Sequence, residues 1–162
     1  MSSTTPPGPG TEPSSLTGWL TGRRDTEVAA LLKARPDLVV PPPATMAVLA
    51  NRAQQRASVF RAADELTVAD FGVIEALAGL GAAGVPVTRR ALLDRLTGRL
   101  TVKNTDRVLT TLRGLLLVWG TGDELSLVPA AAETVPWRLG RSAHTLPSPA
   151  ELAPIVAGLD DA

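Results

Sequence analysis

The sequence predicts a mainly α-helical protein that carries one small β-hairpin in its second half. Apolar residues make up 44% of the 162 positions and are mostly Ala, Leu and Val, whereas aromatic residues account for 3%, a composition typical of helices. Several segments place apolar residues three and four positions apart, which is the spacing of one helix face. Two strand-like runs, residues 116–119 and 125–128, flank a glycine-containing turn of hairpin length, residues 120–124.

In the N-terminal half, the pattern predicts a helical subdomain over residues 16–67 that follows a disordered arm, residues 1–15. The arm consists almost entirely of Ser, Thr, Pro and Gly, so it lacks the apolar side chains that would offset the entropy of ordering it. Ser15 is a candidate N-cap for the first helix. Asp25 is a candidate N-cap for a second helix over residues 26–34.

A proline motif and a longer helix are predicted to follow. Arg35 precedes Pro36, and a residue before proline is disfavoured in helical conformation, so the second helix is expected to end there. After the extended Pro-Pro-Pro connector, residues 41–43, a single third helix is expected over residues 45–66. Phe60 is among the residues of that helix that are available for packing.

The order of elements over residues 68–135 predicts a winged helix-turn-helix: two helices, a short turn, a third helix and a hairpin that forms the wing. The predicted helices cover residues 68–79, residues 89–96 with Thr88 as N-cap, and a third that starts at Thr101 or Asn104 and reaches about residue 116. A Pro/Ala-rich C-terminal segment, residues 136–162, follows the hairpin. The fold class is therefore mainly α, an N-terminal helical subdomain plus a winged helix-turn-helix.

Charge is balanced over the whole chain, but residues 88–113 contain seven cations and only two carboxylates. A locally basic stretch is a better indication of nucleic-acid binding than total charge. A helical projection places Lys103 and Arg107 opposite the apolar face of the third helix, where cations can neutralise phosphates and Asn104 or Arg107 can contact base edges. The candidate DNA-binding residues are Arg89, Arg90, Arg99, Lys103, Asn104, Arg107 and Thr110.

Other features of the same region favour protein docking without DNA contact, so this alternative stays open. Asp106 lies on the polar face of the third helix, and Asp123 and Glu124 make the hairpin tip acidic. Wings that touch phosphate are usually basic. The basic residues are also compatible with an ordinary solvated helix face.

The sequence contains no constellation that predicts catalysis, a cofactor or a metal site. Cysteine is absent, which excludes disulfides, thiol nucleophiles and cysteine-based zinc sites. Residues 79–84 match G-x-G-x-x-G literally, but they follow a helix instead of a strand, so an inter-helix loop is expected. His144 is the single histidine and has no cysteine or obvious carboxylate near it in the sequence. We expect no enzyme activity.

Neither a signal peptide nor a run of apolar residues long enough to span a membrane is visible in the sequence. The expected location is therefore the cytoplasm, without membrane association.

Distinctive strings lie in both halves of the chain: ARPDL at residues 34–38 with the three prolines that follow, LVWG at residues 117–120, and LSLVP at residues 125–129. Together with their surroundings, over residues 16–141, they resemble the N-terminal region of actinobacterial helicase-associated, XPB-like proteins. The resemblance implies N-terminal helices, a winged helix and a DNA-related role.

Members of that family are much longer and carry their helicase-like region further along, so helicase activity is not transferred to this chain. No catalytic residue of the family has a matching position here. The expected partners are double-stranded DNA and either a helicase-like protein or the C-terminal region that a longer relative carries. The leading hypothesis is a non-catalytic DNA-binding module, and the alternative is a docking scaffold.

Overall fold

A computed structural model describes residues 15–135, which form eight α-helices and three short strands. In chain order these elements are α1 Leu16–Thr21, α2 Asp25–Ala34, α3 Met46–Gln54, α4 Arg56–Ala63, α5 Val68–Gly79, β1 Val87–Thr88, α6 Arg89–Leu96, α7 Val102–Gly114, β2 Val118–Trp119, β3 Glu124–Leu127 and α8 Pro129–Ala132. The fold is mainly helical with a small antiparallel sheet, as predicted. The predictions for the arm (apart from Ser15), the C-terminal segment and His144 lie outside the described residues.

The first two helices begin close to their predicted starts. The Ser15 side chain accepts a hydrogen bond from the Gly18 N–H at 3.2 Å, which confirms the N-cap of α1. The prediction of Asp25 as the N-cap of α2 is wrong, because Asp25 is already helical. Instead, the Glu27 carboxylate accepts from the backbone N–H of Arg24, the residue before the helix, at 3.0 Å.

The prediction of a single helix over residues 45–66 is wrong, because this segment forms two helices, α3 and α4. Gln55 has extended backbone, with φ −64° and ψ 135°, and separates α3 from α4. The change of direction lets α3 pack on α1 and α4 pack on α8, with Ala53 and Val59 both fully buried. Phe60 is not packed as expected: it is 38% exposed, with the Arg56 guanidinium 5.2 Å from its ring centre.

Threonine side chains start the two helices that follow β1. The Thr88 hydroxyl accepts from the Ala91 N–H at 3.2 Å and caps α6. The Thr101 hydroxyl accepts from the Asn104 N–H at 3.3 Å, so Thr101 is the N-cap of α7 and Asn104 lies within the helix.

The glycine-rich residues 79–84 form the end of α5 and the turn after it, as expected, and not a strand-to-helix loop. Gly81 has φ 83°, and the Ala82 N–H donates to the Leu77 carbonyl at 3.0 Å. This is a Schellman-type helix end, in which glycine provides the left-handed conformation.

Helix α7 ends at Gly114 and not near residue 116. Leu116 follows with φ 54°, and the Leu117 N–H donates to the Leu112 carbonyl at 2.9 Å. A left-handed leucine costs roughly 1–2 kcal/mol. Complete burial of the Leu116 side chain offsets that cost.

The sheet has the strand order β1-β3-β2, and both pairings are antiparallel. Val118 lies opposite Leu127, which confirms the predicted hairpin. Strand β1 was not predicted, since two residues are too few to show an alternating pattern. It pairs Val87 with Leu125 and joins the segment before α6 to the hairpin. A winged helix is compatible with this arrangement.

Buried apolar residues between Leu16 and Ala131 form one continuous cluster that includes both predicted units. A hydrogen bond from the Trp19 indole N–H to the Gly120 carbonyl, at 2.9 Å, ties α1 to the hairpin turn. Within residues 15–135, no helix is both long and apolar enough to cross a bilayer.

Arg35 is a buried charged residue of this core, with 1% of its surface exposed. Its guanidinium donates to the Asp37 carboxylate at 2.8 and 3.0 Å and to the Ser58 carbonyl at 3.0 Å. It also donates to the Leu115 carbonyl at 2.6 Å, at the carboxyl end of α7, where the helix dipole favours a cation. Arg35 therefore connects the end of α2 to α4 and α7.

Candidate nucleic-acid interface

The orientation of α7 follows from the apolar residues on one of its faces. Val108, Leu109 and Leu112 are buried, as the helical projection predicts, and Thr105 is buried with them. Because these residues fix one side of the helix against the core, the opposite side faces outward along its length.

Four of the predicted DNA-binding residues lie on this outward side of α7. Lys103, Asn104, Arg107 and Thr110 are all exposed. The Thr110 hydroxyl donates to the backbone carbonyl of Asp106 at 2.9 Å. In the part of the chain that the structure describes, the side chains of Lys103 and Arg107 make no hydrogen bond and no ion pair, so their donors are open to a partner. We call Lys103, Asn104, Arg107 and Thr110 the α7 face.

Arg89, a predicted phosphate ligand, is instead paired within the protein. Its guanidinium donates to both carboxylate oxygens of Asp106 at 2.7–2.9 Å, with the two side chains 34% and 48% exposed. The bidentate pair connects the first turn of α6 to α7 and helps to set the relative position of the two helices. Arg89 therefore has fewer donors for phosphate than expected, but Asp106 no longer opposes an anion at the α7 face.

Arg90 in α6 and Arg99 in the turn before α7 form weaker ion pairs than Arg89 does. The Arg90 side chain is 91% exposed, and its Nε lies 4.0 Å from the Asp94 carboxylate. Arg99 is half exposed and lies 3.4 Å from Glu75. Such exposed pairs contribute little to stability, so both guanidinium groups can exchange their carboxylates for phosphate.

The hairpin tip carries acidic and not basic side chains. Asp123 and Glu124 are exposed, and the Asp123 carbonyl accepts from the Arg89 backbone N–H at 2.7 Å. Gly120, with φ 129°, lies so close to the Glu124 carbonyl that a β-carbon would approach its oxygen to 2.3 Å. The turn therefore requires glycine at that position and packs against the start of α6.

Arg113 is not among the predicted DNA-binding residues, but its environment in the folded protein differs from that of the other cations of α7. Arg113, at the edge of the outward side of α7, is partly buried. Burial lowers the pKa of its guanidinium, and the positive charge of Arg23 lowers that pKa further. No local pattern pairs these residues, because Arg23 belongs to the segment between α1 and α2 and meets α7 only in the folded chain.

Residues 15–135 contain no group of three or more His, Cys, Asp or Glu side chains arranged to hold a metal ion. Comparison with models of known protein families, with curated protein sequences and with solved structures gave no match. The α7 face and its surroundings are therefore interpreted from their own chemistry.

Proposed function

We propose that this protein is a winged-helix module that binds double-stranded DNA through the α7 face, without catalysis. The element order helix, strand, helix, helix and two strands, with the β1-β3-β2 sheet, supports this assignment. In such modules the last of the three helices is the one that enters the major groove.

The observation that carries the proposal is the distribution of paired and unpaired charges on α7. Lys103 and Arg107 are exposed and have no partner among the described residues, whereas Asp106 is neutralised by Arg89. The face therefore presents open cationic donors to an anion without an opposing free carboxylate. Phosphate contacts of this kind supply most of the affinity of non-specific DNA binding.

The dimensions and chemistry of the helix support the same target. An α-helix with its side chains is about 10–12 Å wide and fits the major groove, which is about 12 Å wide. Asn104 carries an amide that can bind adenine, and Arg107 a guanidinium that can bind guanine. The resemblance to helicase-associated proteins agrees with a DNA-related role.

The acidic hairpin tip limits the contact surface. Asp123 and Glu124 are repelled by phosphate, so the wing does not extend the interface as a basic wing would. Contact then depends on the α7 face together with Arg90 and Arg99. We infer binding of modest sequence specificity, dominated by phosphate.

A salt titration with a fluorescently labelled duplex tests the proposal. Affinity should fall steeply between about 50 and 200 mM salt. The double variant Lys103→Ala/Arg107→Ala should weaken binding to all sequences and reduce the slope of log K against log salt by roughly 2, because two phosphate contacts are lost.

The matched control is Lys33→Ala/Arg61→Ala, which removes the same charge from exposed positions on α2 and α4. It should leave the slope unchanged. Absence of binding at low salt, or equal effects of the two double variants, would contradict the proposal. If the unaltered protein has no DNA affinity, and a protein partner binds it and the Lys103→Ala/Arg107→Ala variant equally well, the docking scaffold would instead be supported.

A further inference from the structure

A cavity of about 280 Å³ lies between the N-terminal helices and the carboxyl end of α7. Trp19 and Leu31 provide apolar surface, Arg23, Glu27 and Arg113 provide charge, and Gly114 leaves one wall without a side chain. None of these residues belongs to the α7 face. The cavity is therefore a separate feature that the proposed DNA contact does not use.

The charges in this cavity are incompletely compensated. Arg23 lies 3.5 Å from the Glu27 carboxylate, which also accepts from Arg24 at 3.3 Å. The Arg113 side chain has no hydrogen bond and no ion pair among residues 15–135. The Nε atoms of both Arg23 and Arg113 are buried without a partner. Buried donors of this kind are costly unless something satisfies them. Among the residues that line the cavity, two guanidinium groups, Arg23 and Arg113, face a single carboxylate, Glu27, which leaves an excess of positive charge.

The apolar part of the cavity adjoins the charged part directly. The Arg23 guanidinium lies 4.1 Å from the centre of the Trp19 ring, a cation–π contact that holds the charge beside an aromatic surface. Leu31 continues this surface on α2. A few convergent polar groups beside an apolar lining are typical of small-molecule sites.

We propose that this cavity binds a small organic monoanion that has one carboxylate on an aromatic or aliphatic body. The carboxylate lies between Arg23 and Arg113, where the planar guanidinium group matches its geometry. The body lies against Trp19 and Leu31. One negative charge balances the excess of the cavity, and the volume suits an acid no larger than about a dozen heavy atoms.

The test uses phenylacetate as the probe and phenylacetamide, which has the same body without the charge, as the matched control ligand. The readout is the indole N–H signal of Trp19 in a ¹H–¹⁵N NMR spectrum, assigned from Trp19→Phe. The expected result is a saturable shift with phenylacetate and binding at least roughly tenfold weaker with phenylacetamide, the loss of a charge-assisted hydrogen bond.

Two variants examine the two halves of the site. Arg113→Gln should weaken phenylacetate binding roughly tenfold while leaving phenylacetamide unchanged. Gly114→Leu should block both ligands: nothing lies within 4 Å of a β-carbon at that position, so the side chain can enter the open space without disturbing the fold. Arg52→Gln, which changes an arginine outside the cavity, should bind as the unaltered protein does.

Acid and amide are compared on the unaltered protein, so a misfolded Arg113→Gln would not prevent the test. No saturable Trp19 shift with phenylacetate, or equal affinities for the acid and the amide, would overturn the proposal. These measurements contain no DNA, and their outcome is therefore independent of the proposed DNA contact.

Discussion

The cationic side chains at the two ends of α7 have opposite environments. At the carboxyl end, Arg35 is buried and donates to Asp37, Ser58 and the Leu115 carbonyl. Nearer the amino end, Lys103 and Arg107 are exposed and donate to none of the described residues.

The contrast indicates which cations stabilise the fold and which are available to a partner. Satisfied, buried donors contribute to the native state, and removing one partner leaves the others unpaired. Open, solvated donors contribute little to stability but can neutralise an external anion. Residue type alone does not make this distinction, since Arg35 and Arg107 are both arginines. It follows from the partners that the fold brings to each side chain.

The largest expected effect is on stability and comes from replacing the buried cation, Arg35. Arg35→Met should lower the free energy of unfolding by about 3–5 kcal/mol, because the largely buried Asp37 carboxylate loses its guanidinium partner and the Leu115 carbonyl loses its donor. Urea unfolding followed by circular dichroism measures the change. Lys33→Met makes the same substitution at an exposed cation on α2 and should alter stability by no more than about 0.5 kcal/mol. Similar losses of unfolding free energy in Arg35→Met and Lys33→Met would show that the buried cation does not stabilise the fold more than an exposed one.

Acid should weaken the same cluster. The hydrogen bonds from the Arg35 guanidinium hold the pKa of Asp37 below its ordinary value of 3.8, and the Ser58 hydroxyl lowers that pKa further. Partial burial of the carboxylate acts in the opposite direction but is outweighed. A depressed folded-state pKa stabilises the protein fully above the ordinary value, and the contribution is lost as the pH falls through the folded-state pKa. We therefore expect the stability difference between the unaltered protein and Asp37→Asn, about 1–3 kcal/mol near neutral pH, to shrink below about pH 4. A constant difference across that range would show that Asp37 does not titrate as proposed.

The ion pair between Arg89 and Asp106 is partly exposed, so it is intermediate between buried Arg35 and the open side chains of Lys103 and Arg107. Breaking it tests whether a paired cation can be made available to DNA. Asp106→Asn breaks the ion pair with Arg89 and makes that guanidinium available to phosphate, so DNA affinity should rise by up to roughly fivefold, equivalent to about 1 kcal/mol for partly exposed charges. Duplex titration at low salt measures the change. Asp64→Asn removes an exposed carboxylate from the end of α4 and provides the matched control. Weaker binding by Asp106→Asn would mean that the pair matters more for positioning α7 than for keeping Arg89 from phosphate.

The smallest effect is expected outside the α7 face, at Arg90. Arg90→Ala should reduce the slope of log K against log salt by roughly 0.9, the contribution of one phosphate contact. Arg24→Ala, also a highly exposed arginine, should leave the slope unchanged. A slope that is the same in both variants would place Arg90 outside the contact.

Much of the second half of the chain could be predicted because its signals are local. Thr88 and Thr101 are helix N-caps, and glycines end α5 and form the hairpin turn. The apolar spacing in α7 also identified its buried face correctly. Each of these features depends on residues within a few positions of one another.

The features that could not be predicted depend on contacts between distant segments. The break at Gln55 has no glycine or proline to mark it and results from the packing of α3 and α4 on different neighbours. Strand β1 is defined by pairing with β3. The burial of Arg35 and the pairing of Arg89 with Asp106 need the folded arrangement of helices, so sequence reasoning found the cations of the candidate site but could not say which were already occupied.

The hydrogen bond between Trp19 and Gly120 has a consequence for the order of events during synthesis. Its donor and acceptor are 101 residues apart, so α1 leaves the ribosome long before its acceptor exists. At about 5–20 residues per second, Gly120 is added to the chain roughly 5–20 s after Trp19. Until Gly120 has been synthesised, the Trp19 indole N–H lacks the acceptor that it has in the folded protein.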